Sequence, residues 1–492
     1  MSKSIVKNTF YKFLLSVFNV IIPVLVGPYV NRVLGVEQVN TYSSALTILT
    51  FFMIFATFGV YNYGIREINK VRDDKKALSR LFTNLFCFGL ITSIGTVLFY
   101  SLYVIFAVRE AQQLVFAVMV IQVIANIFMV EWLNEALENY GFITKKTMLV
   151  RIISTILLFL VVRHPEDVFL YAALMSVTVL VNNLTSFLFV KRQIPFDFSD
   201  IHPGRYLKPL FIMLIIANIN YLYTQLDRLF LMYTAGETAL TSYTLSSNLI
   251  NMILLVVQSF LIASVPRLSY FTSHGMEEEY TALLTKSSRS YFMLVYPVCI
   301  GLFCLSYEAM YFYGGPNWVD TAYPVLRLFA ARCIITSVYS VFTNQIMYLK
   351  NREVAMVRIL AIGGGLNLLF DTILSLTGKM SPITAISSTA LAELIMLSIM
   401  YWFIRKKMQV DFRLFSFQNF KYLLYSLPFL PIVWGIRQLH LGVLVTSVLG
   451  MGICCGYYGL LLLITKDEML FFFLEKIKAK LFHKNGKGLS SQ

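Results

Sequence analysis

Charge is what this sequence has least of. Only 14% of its 492 residues are Asp, Glu, Lys or Arg, against roughly 25% in a soluble domain. With 58% of the chain hydrophobic, a water-soluble fold would expose more apolar surface than solubility allows. In lipid the same composition is ordinary, because helices satisfy their own backbone polar groups there. Other scarcities exclude other classes. The six cysteines, Cys87, Cys299, Cys304, Cys333, Cys454 and Cys455, lie inside apolar segments, while the five histidines fall in loops or the tail. That spacing suits neither a metal site nor a disulfide framework, so the cysteines read as small apolar filler. No phosphate-binding loop of the Walker type occurs, which argues against direct ATP hydrolysis. No loop is long enough to hold a catalytic domain, so no catalytic residue is expected. No small-residue cleavage site follows the first apolar stretch, which reads as a retained span.

What is present is apolar length. The fold class expected is all-α and polytopic, with about 14 transmembrane helices. They are placed at 10–34, 41–65, 81–107, 112–133, 147–162, 168–190, 208–233, 242–265, 288–311, 322–348, 354–376, 382–404, 420–438 and 441–464. The 41 Phe suit the hydrocarbon core and the 29 Tyr suit its interface. The net charge of +15 does not indicate nucleic-acid binding, because the basic residues sit in short clusters between apolar runs.

Those clusters alternate along the chain. Lys3, Lys7, Arg66, Lys70, Arg72, Lys75, Lys76, Arg80, Lys145, Lys146, Lys191, Arg192, Arg205, Lys286, Arg289, Lys350, Arg352 and Arg405–Lys407 fall in one set of loops, together with a lysine-rich tail. The other set carries little beyond Arg32, Arg109, Arg163, Lys379 and Arg437. The bias predicts both termini in the cytoplasm. The tail suits the anionic cytoplasmic leaflet, although a solvated topology anchor explains it as well.

The chain also repeats in layout after about two hundred residues. Thr41-Tyr42-Ser43-Ser44-Ala45-Leu46 opens span 2, and Ser242-Tyr243-Thr244-Leu245-Ser246-Ser247 opens span 8. The repeat predicts an N-terminal lobe at 1–207 (spans 1–6) and a C-terminal lobe at 208–413 (spans 7–12). Spans 13 and 14 at 414–465 are then appended, with a basic cytoplasmic tail at 466–492. Paired repeats around a central cavity are a common transporter plan.

Charges inside spans cost about 2.5–3.5 kcal/mol each on insertion scales, so each calls for a reason. Asp227 and Arg228 lie in span 7, Arg327 and Arg332 in span 10, Asp371 in span 11 and Glu393 in span 12, with Arg32 and Glu308 near outer ends. For the acids, internal pairing (Asp227 with an arginine, Glu393 with Arg332) competes evenly with a coupling role. For Arg32, Arg228, Arg327 and Arg332 the functional reading leads: guanidinium forks in a wet cavity suit phosphate oxygens. Pro23 and Pro28 break span 1 and are gate candidates, because they free carbonyls that can line a cavity; a packing kink is the alternative. Glu131, Glu135 and Glu138, at i, i+4 and i+7, are expected to form one acidic stripe. It reads as a helix end balancing Lys145, Lys146 and Arg151, with a gate role as the minor option.

Several stretches resemble the polysaccharide (Wzx-type) flippases of the multidrug/oligosaccharidyl-lipid/polysaccharide exporter superfamily. They are Pro28-Tyr29-Val30-Asn31-Arg32-Val33-Leu34-Gly35, Tyr63-Gly64-Ile65-Arg66-Glu67-Ile68 and the run from Glu131 to Tyr140. In the second half they are Gln225-Leu226-Asp227-Arg228, Val265-Pro266-Arg267-Leu268-Ser269 and Asn367. Two departures stand out: Val36-Glu37-Gln38-Val39-Asn40 replaces a more glycine-rich turn, and Asp371 stands where a second amide is expected. The resemblance implies two six-helix lobes around a cavity. It also implies movement of undecaprenyl-pyrophosphate-linked oligosaccharide repeat units from the inner to the outer leaflet, for capsule, O-antigen or exopolysaccharide assembly. A polysaccharide polymerase, chain-length regulators and membrane lipid would be the partners.

On this reading the cytoplasmic (inner) membrane is the location, the arginines are pyrophosphate contacts, and Tyr29, Tyr221, Tyr223 and Tyr243 are sugar-facing candidates. No cofactor is expected, and the choice among H+, Na+ and membrane-potential coupling stays open. A cation-coupled drug or metabolite exporter of the same superfamily is the alternative, but cationic substrates fit an arginine-bearing cavity poorly. An integral-membrane polysaccharide polymerase or ligase would be expected to carry a long outer loop. A purely structural scaffold would leave the buried charges unexplained.

Overall fold

A computed structural model of the chain describes residues 2–410, 412 and 416–475, with backbone alone at 2–10, 12–13 and 216–224. Tyr221, Tyr223 and the tail lysines Lys476, Lys478, Lys480, Lys484 and Lys487 therefore lie outside the described side chains. Among the described residues every regular element is helical. In chain order they are α1 (Ser2–Val33), α2 (Gly35–Thr57), α3 (Val60–Val71), α4 (Lys75–Ala107), α5 (Glu110–Val118), α6 (Val120–Asn126) and α7 (Glu131–Ala136). Then follow α8 (Tyr140–Val161), α9 (Val168–Gln193), α10 (Leu207–Thr234), α11 (Glu237–Ile262), α12 (Val265–Ser273), α13 (Glu277–Cys304) and α14 (Ser306–Gly314). The last are α15 (Pro316–Val341), α16 (Glu353–Leu376), α17 (Pro382–Lys406), α18 (Phe417–Ser426), α19 (Phe429–Arg437) and α20 (Val443–Ile464).

This is a multi-pass membrane protein. Among the described residues, ten helical stretches are long and apolar enough to cross a bilayer, or eleven if α13 and α14, bent by 81° at their junction, form one span. The count of fourteen is not reached on length and apolarity, for identifiable reasons. Lys145, Lys146 and Arg151 crowd α8. Helix α10 runs through 216–224, where only backbone is described. The expected span at 420–438 is two short helices, α18 and α19, interrupted at Leu427-Pro428. Leu98, Phe99, Leu102, Ile105 and Phe106 of α4 are all exposed, Phe106 by 83%. Such a surface is stable against hydrocarbon and not against water.

The chain forms two compact units. One comprises residues 1–245, 313–318 and 364–385; the other comprises 246–312, 319–363 and 386 onward. In the first, α1 packs on α8, α2 on α4, α3 on α7, and α9 on α6 and α8. Its aromatic core sets Phe82 against Phe196 at 5.2 Å and Phe86 against Phe187 at 5.3 Å, around a fully buried Trp132. Gly64 admits that indole, because a β-carbon there would collide with the Trp132 ring. Phe58 and Gly59 adopt left-handed conformations (φ 41° and 75°), which ends α2 and starts α3. Asp74 caps α4 by accepting from the Lys76 and Ala77 amides at 2.9 and 3.0 Å.

In the second unit, α13 packs on α18, α19 and α20. A π-helical turn at Phe342–Met347 holds Gln345 in a fully buried polar knot. Its amide donates to Ser264 Oγ at 2.7 Å and Ser287 Oγ at 3.1 Å, and its side-chain oxygen accepts from Ser288 at 3.2 Å. The Gln345 backbone carbonyl accepts from Tyr280 at 2.7 Å. Burial demands this degree of satisfaction, since an unmade hydrogen bond there is costly.

Candidate functional site

In the first unit, residues far apart in sequence converge on Asp227. Helix α10 supplies Asp227, α11 supplies Tyr243, and α16 supplies Asn367 and, one turn later, Asp371. Both carboxylates are fully buried, with Asn367 at 1% and Tyr243 at 2% exposure. Tyr243 donates its hydroxyl proton to Asp227 Oδ2 at 2.6 Å. Asn367 Nδ2 donates to Asp227 Oδ1 at 2.7 Å and to Asp371 Oδ2 at 3.3 Å. One amide therefore serves two carboxylates. The i, i+4 spacing of Asn367 and Asp371 puts both on one face of α16. Asn367 Oδ1 and Gln225 Oε1 are buried with no hydrogen-bond partner among the described residues.

Arg228 follows Asp227 on α10. It is half-buried, its Nε is shielded, and it has no ion-pair partner among the described residues. Arg32 donates from Nη1 to the Pro28 carbonyl at 3.0 Å, beside Gly315. Pro23 and Pro28 lie within the unbroken helix α1. Tyr29 gives its hydroxyl proton to the Val162 carbonyl at 2.7 Å and packs edge-on against Phe159. Tyr243, a sugar-facing candidate from sequence, instead commits its hydroxyl to Asp227.

In the second unit, Arg332 and Glu393 are partners. Nε donates to Oε2 at 2.8 Å, and Nη2 donates to Oε1. This is a bidentate pair between α15 and α17, with each side chain at most 13% exposed. Arg327 donates from Nε to Ser306 Oγ at 3.3 Å and lies over the Phe303 and Tyr323 rings.

The acidic stripe does not form as a stripe. Helix α7 ends at Ala136, and Glu138 adopts a left-handed conformation at φ 59°, so the i, i+4, i+7 geometry is lost. Each acid finds a different partner instead. Glu131 pairs with Lys146 at 3.0 Å and with Ser186, Glu135 accepts from Tyr61 at 2.6 Å, and Glu138 lies 3.7 Å from Arg72. The balance with Lys146 expected from sequence is present, but the lysine is buried, not solvated, with its side chain 3% exposed. Sequence reasoning missed Gln345 and did not foresee Tyr243 as a carboxylate ligand. The N-x-x-x-D spacing at 367 and 371 was the available signal for the cluster.

Known proteins fit this architecture. The chain is 20% identical over 417 residues to a protein of Escherichia coli (strain K12) provisionally named an O-antigen transporter, covering 82% of this chain and 97% of that one. Among solved structures, the lipid II flippase MurJ in an inward closed conformation superposes with a TM-score of 0.69 at 13% identity, over 94% of this chain and all of that one. An inward-facing multidrug resistance MATE family transporter of the MOP superfamily gives 0.57 at 15% identity, over 82% of this chain and 96% of that one. At these identities the solved structures establish a shared fold. A family model described as polysaccharide biosynthesis protein matches residues 5–272, more than half of the sequence. The chain belongs to the polysaccharide biosynthesis protein family.

Proposed function

We propose that the protein is a flippase that moves a lipid-linked oligosaccharide across the bilayer. The observation that carries the reading is the family match, joined to a relative named for O-antigen transport that aligns over 97% of its own length. The finer reading is of undecaprenyl-pyrophosphate-linked repeat units. They pass from the inner to the outer leaflet of the cytoplasmic membrane, with both termini cytoplasmic, and feed a polymerase and its chain-length regulators. Such a substrate has an anionic, hydroxylated head that cannot cross hydrocarbon unaided. Two six-helix lobes, divided near residue 207, would alternate around the head while the polyprenyl tail stays in lipid.

Within that scheme the Asp227–Asn367–Asp371 cluster is the coupling site. Two carboxylates on one amide form a receptor for a single H+ or Na+, and binding it relieves their mutual repulsion. Of the four arginines, Arg228 is the strongest candidate for the pyrophosphate, with Arg32 second. The charge of Arg332 is answered by Glu393, and the surroundings of Arg327 suit another ligand. The membrane potential adds about 2.3 kcal/mol per outward-moving negative charge per 100 mV. The likeness to MATE transporters favours a second reading, cation-coupled export of a small molecule, which the same acidic cluster could drive.

Deletion in the native host separates the two. The flippase reading expects lipid-linked oligosaccharide stranded in the inner leaflet, loss of surface polymer and unchanged sensitivity to cationic dyes. Normal surface polymer together with dye hypersensitivity would replace it with the export reading.

A further inference from the structure

The second unit holds a basic cleft that the acidic cluster does not involve. Helix α19 ends at Arg437, and a short turn leads to Val443 at the start of α20. Glu308 of α14, its side chain 5% exposed, fixes the Arg437 guanidinium: Nε donates to Oε1 at 3.1 Å and Nη2 to Oε2 at 2.7 Å. Nη2 also donates to the Cys304 carbonyl at 2.8 Å. Nη1 keeps no partner among the described residues. Arg327 is half-buried and held by Ser306 and two aromatic faces, with no carboxylate partner among the described residues.

Both arginines line two neighbouring cavities of about 420 and 430 Å³. Glu308 is the only acid among the lining residues, so two guanidinium charges face one carboxylate and one positive charge is left over. The terminal nitrogens of Arg327 and Nη1 of Arg437, with one charge unanswered, suit the oxygens of a phosphate.

The rim decides what carries the phosphate. Trp434, which lines the first cavity, is 66% exposed, and Leu430 and Leu441 beside it are also exposed. A water-facing cleft would not be edged this way, whereas an exposed tryptophan is characteristic of the bilayer interface. An anion reaching Arg327 and Arg437 past this rim comes with its own hydrocarbon. We propose that Arg327 and Arg437 hold the phosphodiester of an anionic membrane phospholipid, whose single charge matches the surplus in the cleft. The hydroxyls of Tyr307 and Tyr323, which also line it, then face the headgroup alcohol.

The test uses the purified full-length chain, stripped of lipid and exposed to vesicles of equimolar phosphatidylglycerol and phosphatidylcholine, with retained lipid counted by native mass spectrometry. Wild type is expected to keep phosphatidylglycerol selectively. Arg327→Gln should lose that selectivity by about tenfold, the scale of one charge-assisted fork, and Arg327→Lys should restore part of it. Equal retention by wild type and a folded Arg327→Gln overturns the proposal. So does displacement of phosphatidylglycerol by millimolar inorganic phosphate, which would make this a site for free phosphate. Should Arg327→Gln fail to fold, wild type alone decides. Phosphatidylglycerol should raise its unfolding temperature while phosphatidylcholine and inorganic phosphate do not, and no phosphatidylglycerol-specific rise refutes the assignment.

Discussion

Asn367 donates a 2.7 Å hydrogen bond to Asp227, a residue 140 positions earlier in the chain, and the same nitrogen reaches Asp371 at 3.3 Å. The proposed coupling role has these two carboxylates take up one monovalent cation or proton. If that cation is Na+, adding NaCl in place of KCl should stabilise the purified wild type. A ligand at a hundred times its dissociation constant adds about 2.7 kcal/mol. Asp227→Asn and Asp371→Asn keep the shape and remove a charge, so each should abolish the Na+-specific shift in unfolding temperature. If the cation is a proton, the same variants should instead flatten the pH dependence of transport. A wild-type response retained in both variants would take the cluster out of coupling.

Arg332 and Glu393 form a buried bidentate pair, so removing one partner strands the other. Arg332→Met or Glu393→Leu alone should destabilise the protein by about 3–5 kcal/mol, whereas the two replacements together should recover most of that loss. Thermal unfolding of the four proteins in one detergent closes the cycle. Additive losses in the double variant would mean that the pair is not coupled.

Gly64 and Trp132 make a steric prediction. Gly64→Ala must push a β-carbon to within 2.4 Å of a fully buried indole. Overpacking of this kind costs about 1–3 kcal/mol, read as a lower unfolding temperature. Gly95→Ala is the control, since a β-carbon there meets no neighbouring atom within 4 Å, and it should be neutral.

Orientation follows from the loop charges. Reporter fusions after Lys76, Lys208 and Lys407 should read cytoplasmic, and fusions near Arg163 and Lys379 should read external. A cytoplasmic reading at Lys379 would remove a span from the chain ahead of it and with it the fourteen-span topology.

The all-helical, multi-pass class was legible because a low charge fraction and long apolar runs admit little else. The individual helix breaks were less so. Phe58 and Gly59 divide one apolar run into α2 and α3 through backbone conformation alone, and hydropathy carries no record of it. The acidic stripe failed for a related reason, since i, i+4, i+7 holds only while the helix continues and α7 stops at Ala136. The Arg332–Glu393 pair could be named as one of two options because both residues are charged within spans. Tyr243 could not be matched to Asp227, because a tyrosine in an apolar run is usually packing, and only tertiary convergence assigns its hydroxyl.

Movement of lipid-linked oligosaccharide between leaflets can be watched in a vesicle that contains this protein alone. A fluorescent undecaprenyl-pyrophosphate-linked sugar is placed in one leaflet and read with a quencher that cannot cross the bilayer. Wild type is expected to move the probe to the other leaflet, Asp227→Asn to slow it at least tenfold, and Arg228→Ala to do the same while remaining folded. Correctly inserted protein that leaves the probe where it was placed, yet transports a cationic dye, would show a drug exporter and not a flippase.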